Sequence, residues 1–232
     1  MEIWKVLKKS TAGTYRKLFK FVILNIIWFL LSLLVIFVGY FGLSTQIYIL
    51  LAIPIIFLGP FFMAGLETGI DFVNLNDFRV KKYFVYIIKN FKRAFLGFLL
   101  SFFIYSLLIL DLVFFLKKGT DSLFMLILAV LILYILIFFS MMQCYYWGFL
   151  VLDKEKKIRY ILKNSLILTI DNVIFSLLWL IIVLIITLIL ILTGFGMVIL
   201  LMNFLVLMIL YGTIQIASNY DKLKIEELNS DE

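Results

Sequence analysis

The chain has 232 residues, of which 65% are hydrophobic and 15% charged, and its mean hydropathy is +1.17. Soluble domains are about half apolar and about a quarter charged, so this composition excludes an aqueous globular fold and predicts a membrane protein. The formal net charge is +7, and the lack of histidine excludes imidazole metal sites and histidine acid–base catalysis.

Six apolar stretches with few or no charges are each about 20 residues or longer, which is the length that a helix needs to cross the hydrocarbon core. They are apolar at every position instead of every second one, so they predict helices and not barrel strands. The predicted fold is therefore all-α, a polytopic helical membrane protein in which residues 1–232 form one membrane domain that ends in a short polar cytoplasmic tail, 217–232. The predicted transmembrane helices are 21–43, 47–70, 94–115, 123–151, 173–192 and 197–216.

Lysine and arginine fall on one side of these spans. Nineteen of the 21 lie in residues 1–20, 71–93, 152–172 or after 216, and only Lys117 and Lys118 lie elsewhere. By the positive-inside rule, both termini and the two long loops are expected in the cytoplasm. The expected partner of this charge is the anionic inner leaflet of the bilayer, not nucleic acid.

Both long basic loops are predicted to form interfacial helices. At about 100° per residue, the lysines of the first loop lie opposite Tyr83, Phe84 and Ile87, and the second loop repeats the pattern with Ile158 and Ile161. These helices either lie on the inner leaflet or dock a cytoplasmic partner. The candidate docking or lipid-contact residues are Lys81, Lys82, Lys89, Lys92, Arg93, Lys156, Arg159 and Lys163.

The chain can be divided into three units, each a basic helix followed by a hairpin of two spans, with a period of roughly 74 residues. In the first unit the basic helix is predicted around Trp4 and Leu7. Residues 86–90 read Tyr-Ile-Ile-Lys-Asn, and residues 160–164 read Tyr-Ile-Leu-Lys-Asn. Short matches also arise by chance in so apolar a sequence, so duplication and coincidence are both compatible with this echo.

The second span contains the most informative residues. Pro60 lacks a backbone donor and predicts a kink, while Gly65 and Gly69 predict a seam for close helix packing. A structural kink and a hinge or substrate-lining break are alternative interpretations. The candidate functional or kink positions are Pro54, Gly59, Pro60, Gly65, Glu67, Gly69 and Asp111.

Two acids lie within the predicted spans. Glu67 is interpreted either as a functional intramembrane acid or as one that reaches the interface or pairs with a lysine of the following loop. Asp111, near the external end of its span, is expected to be exposed at the interface. Polar side chains predicted to form hydrogen bonds between helices are Asn25, Gln143, Asn203 and Gln215.

The fourth span contains Cys144, the only cysteine, so an intramolecular disulfide is excluded. Tyr145, Tyr146 and Trp147 close this span at its predicted cytoplasmic end. We expect them to be anchors in an aromatic belt at the membrane surface.

Motifs of known enzyme classes are absent from the sequence. It contains no phosphate-binding loop, no zinc-protease motif and no hydrolase nucleophile elbow, and no two facing spans carry paired acids. We therefore expect no catalytic residues, no cofactor, no metal and no enzymatic activity.

Several short motifs occur in a characteristic order. The second span has Pro54, then Gly59 and Pro60, then Ala64; residues 90–92 (Asn-Phe-Lys) precede the third span, and Phe84 and residues 163–166 (Lys-Asn-Ser-Leu) lie in the two basic loops. This order resembles the YesL-like family of bacterial integral membrane proteins of unknown function. The resemblance implies a multi-pass protein of the bacterial cytoplasmic membrane that is associated with carbohydrate uptake, and it brings no catalytic residues.

The expected function is that of a non-enzymatic accessory or permease-like component of solute transport, with transporter subunits or a second copy as partners. One alternative is a self-sufficient small transporter or channel, which would require polar residues of the second, third and sixth spans to line one cavity. Another is a membrane-bound enzyme of lipid metabolism.

Overall fold

The computed structural model describes residues 18–74, 80–119 and 122–218. Within these ranges there are helices and turns and no strand, so the predicted all-α class is confirmed. The basic helix expected around Trp4 and Leu7 lies outside the described residues, as does the tail beyond residue 218.

Nine α-helices form in the described part of the chain, and a short 3-10 turn, Tyr48–Leu51, precedes the second. Six of the nine, α1, α2, α4, α5, α7 and α9, are long and apolar enough to cross a membrane. The helices are α1 (Leu18–Ser44), α2 (Ala52–Val73), α3 (Val80–Lys89), α4 (Phe91–Gly119), α5 (Leu123–Leu152), α6 (Ile158–Asp171), α7 (Val173–Leu192), α8 (Phe195–Ile199) and α9 (Leu201–Ser218).

The last helix, α9, lies at the centre of the bundle. It packs against α1, α2, α5 and α7. Twelve of its 18 residues are buried, whereas four of 29 are buried in α4 and two of 20 in α7. Among the most apolar 18-residue stretches of the six spanning helices, that of α9 has the lowest mean hydropathy, as expected for a helix that faces protein more than lipid.

Close packing between α2 and α9 depends on two glycines of α2. A Cβ atom at Gly65 would overlap the terminal methyl group of Met202, and one at Gly69 would overlap a methyl group of Val206. Without side chains at these positions the two backbones approach each other closely, which is how small residues bring membrane helices together. The structure thus places the predicted packing seam of α2 against α9.

The last predicted span, 197–216, is not one continuous helix. Gly194, with φ +61°, forms the turn after α7, and α8 then runs only to Ile199. Leu200 leaves helical geometry with φ −126° and ψ −24°, and α9 begins at the next residue. The helix break at Leu200 thus lies about one turn inside the predicted sixth span, and α9 begins just after it.

A side chain from α1 forms hydrogen bonds with the backbone groups on both sides of the break. Asn25, which is fully buried, donates from Nδ2 to the carbonyl oxygens of Met197 (3.1 Å) and Val198 (2.6 Å). Its Oδ1 accepts from the backbone N–H groups of Met202 (2.6 Å) and Asn203 (3.2 Å). These are groups that a helix end leaves without intrahelical partners. Asn25 is confirmed as an interhelical hydrogen bonder, and it uses its full donor and acceptor capacity.

The echoed motifs occupy different places in their helices. Residues 86–89 are the last four of α3, Asn90 forms a turn, and α4 starts at Phe91. Residues 160–164 lie near the start of α6, which continues to Asp171. A helix ends at the first motif but continues beyond the second, so the two motifs are not structurally equivalent.

Replacing Asn25 with leucine should destabilise the fold, because four buried backbone groups would lose their partners. We expect the free energy of unfolding to fall by about 2–4 kcal/mol. The measurement is the temperature at which a maleimide fluorophore labels Cys144, the only thiol, in detergent solution. The control is Ile26→Leu, at a more exposed position of the same helix; equal labelling temperatures for the two variants would contradict the role of Asn25.

Candidate functional site

The intramembrane acid Glu67 lies in the most buried part of the second spanning helix. Nearly every residue of α2 from Gly59 to Phe72 is buried, and the Glu67 side chain is only 4% exposed. A carboxylate removed from water in this way needs charged or hydrogen-bonding partners. The site is therefore defined by the groups that Glu67 contacts.

Both carboxylate oxygens of Glu67 have partners. Lys154 Nζ lies 2.6 Å from Oε2, and Asn90 Nδ2 donates to Oε1 over 3.1 Å. The paired lysine thus comes from the second basic loop, after α5, whereas the sequence led us to expect one from the first. Lys154 is 43% exposed, so water reaches the ion pair from the lysine side.

A second carboxylate, Asp71, lies one turn further along α2. Tyr86 donates its hydroxyl to Asp71 Oδ2 over 2.9 Å, and Lys82 Nζ lies 3.4 Å from the same oxygen. Burial, together with this hydrogen bond and the charge of Asp71, raises the pKa of Tyr86 to about 12. Tyr86 therefore remains a donor to Asp71 throughout the physiological pH range.

Helix α3 is held against the bundle by its tyrosines. Tyr83 is fully buried and donates its hydroxyl to the backbone oxygen of Phe61 over 3.2 Å, and burial raises its pKa well above the usual range. Tyr86 and Ile87, at the spacing of one helical face, pack in the same apolar cluster. Phe84, predicted on the same apolar face, is 44% exposed.

The segment after α5 is ordered by one guanidinium group. Arg93, near the start of α4, donates to the carbonyl oxygens of Leu150, Asp153, Lys154 and Lys156 at distances of 2.5–3.1 Å. These carbonyls lie at or just beyond the end of α5, where backbone oxygens lack helical partners and a cation is favourable. The planar guanidinium has five N–H donors in a fixed geometry, enough for all four oxygens, whereas a lysine ammonium has three.

Arg93 and Glu67 together connect the two basic loops. By folding the backbone after α5 around itself, Arg93 places Lys154 within reach of the carboxylate on α2. We call the resulting set the loop-end network, and the end of the bundle where it lies the loop end. The loop-end network consists of Glu67, Asp71, Lys82, Tyr86, Asn90, Arg93 and Lys154.

The chemistry available to the loop-end network is limited by its internal bonds. Both oxygens of Glu67 and one oxygen of Asp71 are engaged by donors of this chain. Among the described residues, no three acidic or cysteine side chains come together in a way that could hold a metal ion. The loop-end network thus connects α2 to α3 and to the segment after α5.

The candidate basic residues divide into two groups. Lys82 and Arg93 belong to the loop-end network. Lys156 pairs with Asp153 and lies 4.8 Å above the ring centre of Tyr160. The remaining candidates have exposed side chains on α3, α4 and α6. They are Lys81, Lys89, Lys92, Arg159 and Lys163.

The structure places the other candidate positions inside helices or at contacts between helices. Pro60 lies inside α2, which is continuous from Ala52 to Val73. Gly59 faces the α4 backbone at Ala94, and Pro54 packs against Gly39 of α1. Asp111 is half-buried in α4, which continues for eight further residues to Gly119.

The predicted aromatic belt at the end of α5 is wrong. Tyr145 and Tyr146 are buried to within 1% of full burial, and Trp147 is 9% exposed. Tyr145 shares a hydrogen bond of 2.8 Å with Ser176 Oγ on α7, and Tyr146 donates to the backbone oxygen of Gly97 over 3.3 Å. These rings are packed in the protein core.

The polar side chains of the spans do not come together at one site. Glu67 belongs to the loop-end network, Asn25 lies at the α8–α9 break, and Gln143 accepts a hydrogen bond from Ser101 over 3.0 Å. The predicted interhelical bond of Gln143 is thereby confirmed. A cavity of about 260 Å³ between α4 and α5 does not include Glu67, Asn25 or Asp111; it is lined by Phe98, Ser101, Phe102, Tyr105, Gln143 and Trp147.

Sequence reasoning missed Asp71, Tyr86 and Lys154. One signal was present: Glu67 and Asp71 are four residues apart and therefore share a helix face. The partner lysine carries no such signal, because it is 87 residues away in the chain.

Comparisons with known proteins found no match. No family model matches the sequence, and neither a curated protein nor a solved structure is significantly similar to it.

Removing Lys154 should destabilise the protein more than removing the charge of Glu67. Lys154→Met leaves a buried carboxylate without its cation, at a loss of about 3 kcal/mol, whereas in Glu67→Gln the half-exposed lysine turns to water, at a loss of about 1 kcal/mol. The double variant should recover most of the difference. The Cys144 labelling temperature measures all three, and equal losses in the single variants would show that Glu67 is hydrated.

Proposed function

We propose that this chain is a non-enzymatic protein of the bacterial cytoplasmic membrane, with both termini inside, and that it acts as an accessory or permease-like component of solute uptake. The observation that carries the proposal is the basic surface at the loop end. We define this surface by Lys81, Lys89 and Lys92, whose side chains are exposed.

The basic surface is separate from the contacts that hold the fold. Lys82 and Arg93, its neighbours in sequence, are bound to an acid and to backbone oxygens of the same chain. Large apolar side chains also lie on the exposed side of α3, including Ile88 at 78% exposure. Positive charge beside exposed apolar groups suits contact with an acidic, partly apolar surface of a partner at the membrane.

A self-sufficient transporter is less well supported. Transporters commonly bind ions at intramembrane acids and at the free backbone groups of broken helices. Here Glu67 is almost fully buried, with both oxygens bound, and the groups around the break at Leu200 are occupied by Asn25. In this alternative the pair between Glu67 and Lys154 would have to open during transport.

The resemblance to the YesL-like family supports the choice of solute uptake, and carbohydrate uptake in particular. Its motif residues have structural surroundings that suit a framework role: Gly59 faces α4, and Asn90 bonds to Glu67. A lipid-metabolising enzyme, the remaining alternative, would need reactive groups that a substrate can reach. The carboxylates of the loop-end network are already held by donors of the chain.

Reversing the charge of the basic surface should release a cytoplasmic partner. The triple variant Lys81→Glu/Lys89→Glu/Lys92→Glu is expected to recover about tenfold less partner than wild type, because like charges would then oppose an acidic surface. The measurement is affinity purification from native membranes in mild detergent with quantitative mass spectrometry. We expect a stoichiometric ATPase, permease or solute-binding protein with the wild type.

The matched control is Lys117→Glu/Lys118→Glu, which makes the same change near the other end of α4. It should keep the partner. If the triple variant keeps it as well, the basic surface is not the docking site. If the wild type purifies only with copies of itself, the self-sufficient transporter becomes the better hypothesis, and Glu67→Gln should then abolish uptake in reconstituted vesicles.

The proposed orientation can be tested with reporter fusions. A fluorescent protein that matures only in the cytoplasm should be bright when fused after Glu155 and dark when fused after Gly119, because 17 of the charges that set the topology lie in segments 1–20, 71–93 and 152–172. Alkaline phosphatase fusions should give the opposite result. A bright fusion after Gly119 would overturn the orientation.

A further inference from the structure

Four of the six residues that line the cavity between α4 and α5 are aromatic. Phe98 and Phe102 stack along α4 with ring centres 6.2 Å apart and planes tilted by 20°. Trp147 is held by an edge contact of 5.0 Å with Phe62. Phe102 is 43% exposed, so the cavity lies at the outer surface of the helix pair, where a bilayer would supply its contents.

One polar group in this wall lacks a partner. Gln143 is 8% exposed, and its Nε2 has no hydrogen-bond acceptor among the described residues. Its Oε1 accepts from Ser101 Oγ over 3.0 Å. A buried donor without an acceptor is unfavourable in protein, and more so at membrane depth, where water is not present to replace the missing partner.

The surrounding hydrogen bonds fix which amide atom is left over. Gly97 O accepts the backbone N–H of Ser101 within α4 and the hydroxyl of Tyr146, so its two lone pairs are occupied. Ser101 Oγ lies 3.1 Å from Gly97 O and 3.0 Å from Gln143 Oε1, and because Gly97 O already accepts from two other donors we assign the single hydroxyl hydrogen to Gln143 Oε1. The amide then presents a donor, and not an acceptor, as its unpaired group.

None of the remaining polar groups of the wall is a hydrogen-bond partner of Gln143 Nε2. Tyr105 donates its hydroxyl to Ser140 Oγ over 3.0 Å, and the Ser140 hydroxyl donates to Leu136 O over 2.8 Å. The indole nitrogen of Trp147 can only donate. The cavity thus combines walls of aromatic side chains with one hydrogen-bond donor, Gln143 Nε2, that has no acceptor in the described part of the chain.

We propose that this cavity binds a lipid-soluble molecule that presents a carbonyl oxygen to Gln143 Nε2. The volume of about 260 Å³ is close to the lower limit of ligand pockets, so it holds a head or part of a chain while the remainder lies in the bilayer. Two sources share this chemistry. One is the ring carbonyl of a quinone, which would lie against the stacked rings of Phe98 and Phe102, and the other is the ester carbonyl of an acyl lipid.

The test is native mass spectrometry of the full chain in detergent, titrated separately with three probes. These are decylubiquinone, a diester phosphatidylglycerol and the diether analogue of the same phosphatidylglycerol, which lacks the carbonyls. The wild type should retain decylubiquinone, or should retain the diester in preference to the diether. The first result assigns the site to a ring carbonyl, and the second assigns it to an acyl lipid.

Gln143→Met keeps the length of the side chain and removes the donor, so retention of the favoured probe should fall roughly fivefold. Phe102→Trp narrows the exposed wall without disturbing the buried one and should also reduce retention. The control is Tyr134→Phe, at a position on α5 that is 70% exposed, and it should bind as the wild type does. The Cys144 labelling temperature verifies that each variant is folded.

The proposal fails if the diester and the diether are retained equally and decylubiquinone is not retained. It also fails if folded Gln143→Met keeps the full affinity of the wild type. Either result would leave Gln143 as a helix-pairing residue without a ligand.

Discussion

Inside a bilayer, each backbone donor and acceptor must find a partner within the protein, and this requirement shapes the centre of the molecule. The last spanning helix is interrupted at Leu200, which leaves carbonyl and N–H groups without helical partners on both sides of the break. A single amide, Asn25, satisfies two of each kind. Because these bonds run from α1 to α9, the same side chain that repairs the break also joins the first and last spans. The rest of the bundle assembles around that junction, with the glycine strip of α2 packed on the same helix.

At the loop end the same principle applies to charge. Two carboxylates on one face of α2 are removed from water, and the chain supplies cations and donors from three different segments. The contribution of Arg93 is indirect, since it binds backbone oxygens and thereby positions Lys154. Removing one partner of a buried ion pair destabilises a protein more than replacing both partners with apolar residues does. The network therefore makes the relative placement of the two basic loops specific, and the lysines outside it are left for other contacts.

The six spans could be predicted from the sequence because crossing a bilayer demands length and apolarity, which are properties of a continuous stretch. The break at Leu200 could not, since neither proline nor glycine marks it and its compensation lies 175 residues away in Asn25. Tyr145, Tyr146 and Trp147 were misplaced for a related reason. Aromatic residues near the end of a span suit both a membrane surface and a protein core, and only the tertiary packing decides between the two. The ion pair of Glu67 with Lys154 could not be predicted for the same reason. The spacing of residues along the chain predicts which side chains are neighbours on one helix, but not which separate segments meet in the folded protein.

The central position of α9 has a consequence for how the protein is made. Ribosomes deliver spans in order, so α1, α2, α5 and α7 enter the membrane before α9, their common packing partner, has been synthesised. Until then the glycine face of α2 and the amide of Asn25 have no native counterpart, and the five earlier spans form an open, incomplete assembly. Insertion of the first five spans is thus separated in time from folding, and a chain that stalls before residue 201 would lack the helix against which four of them pack. Such a molecule would be a natural target for the quality-control proteases of the membrane.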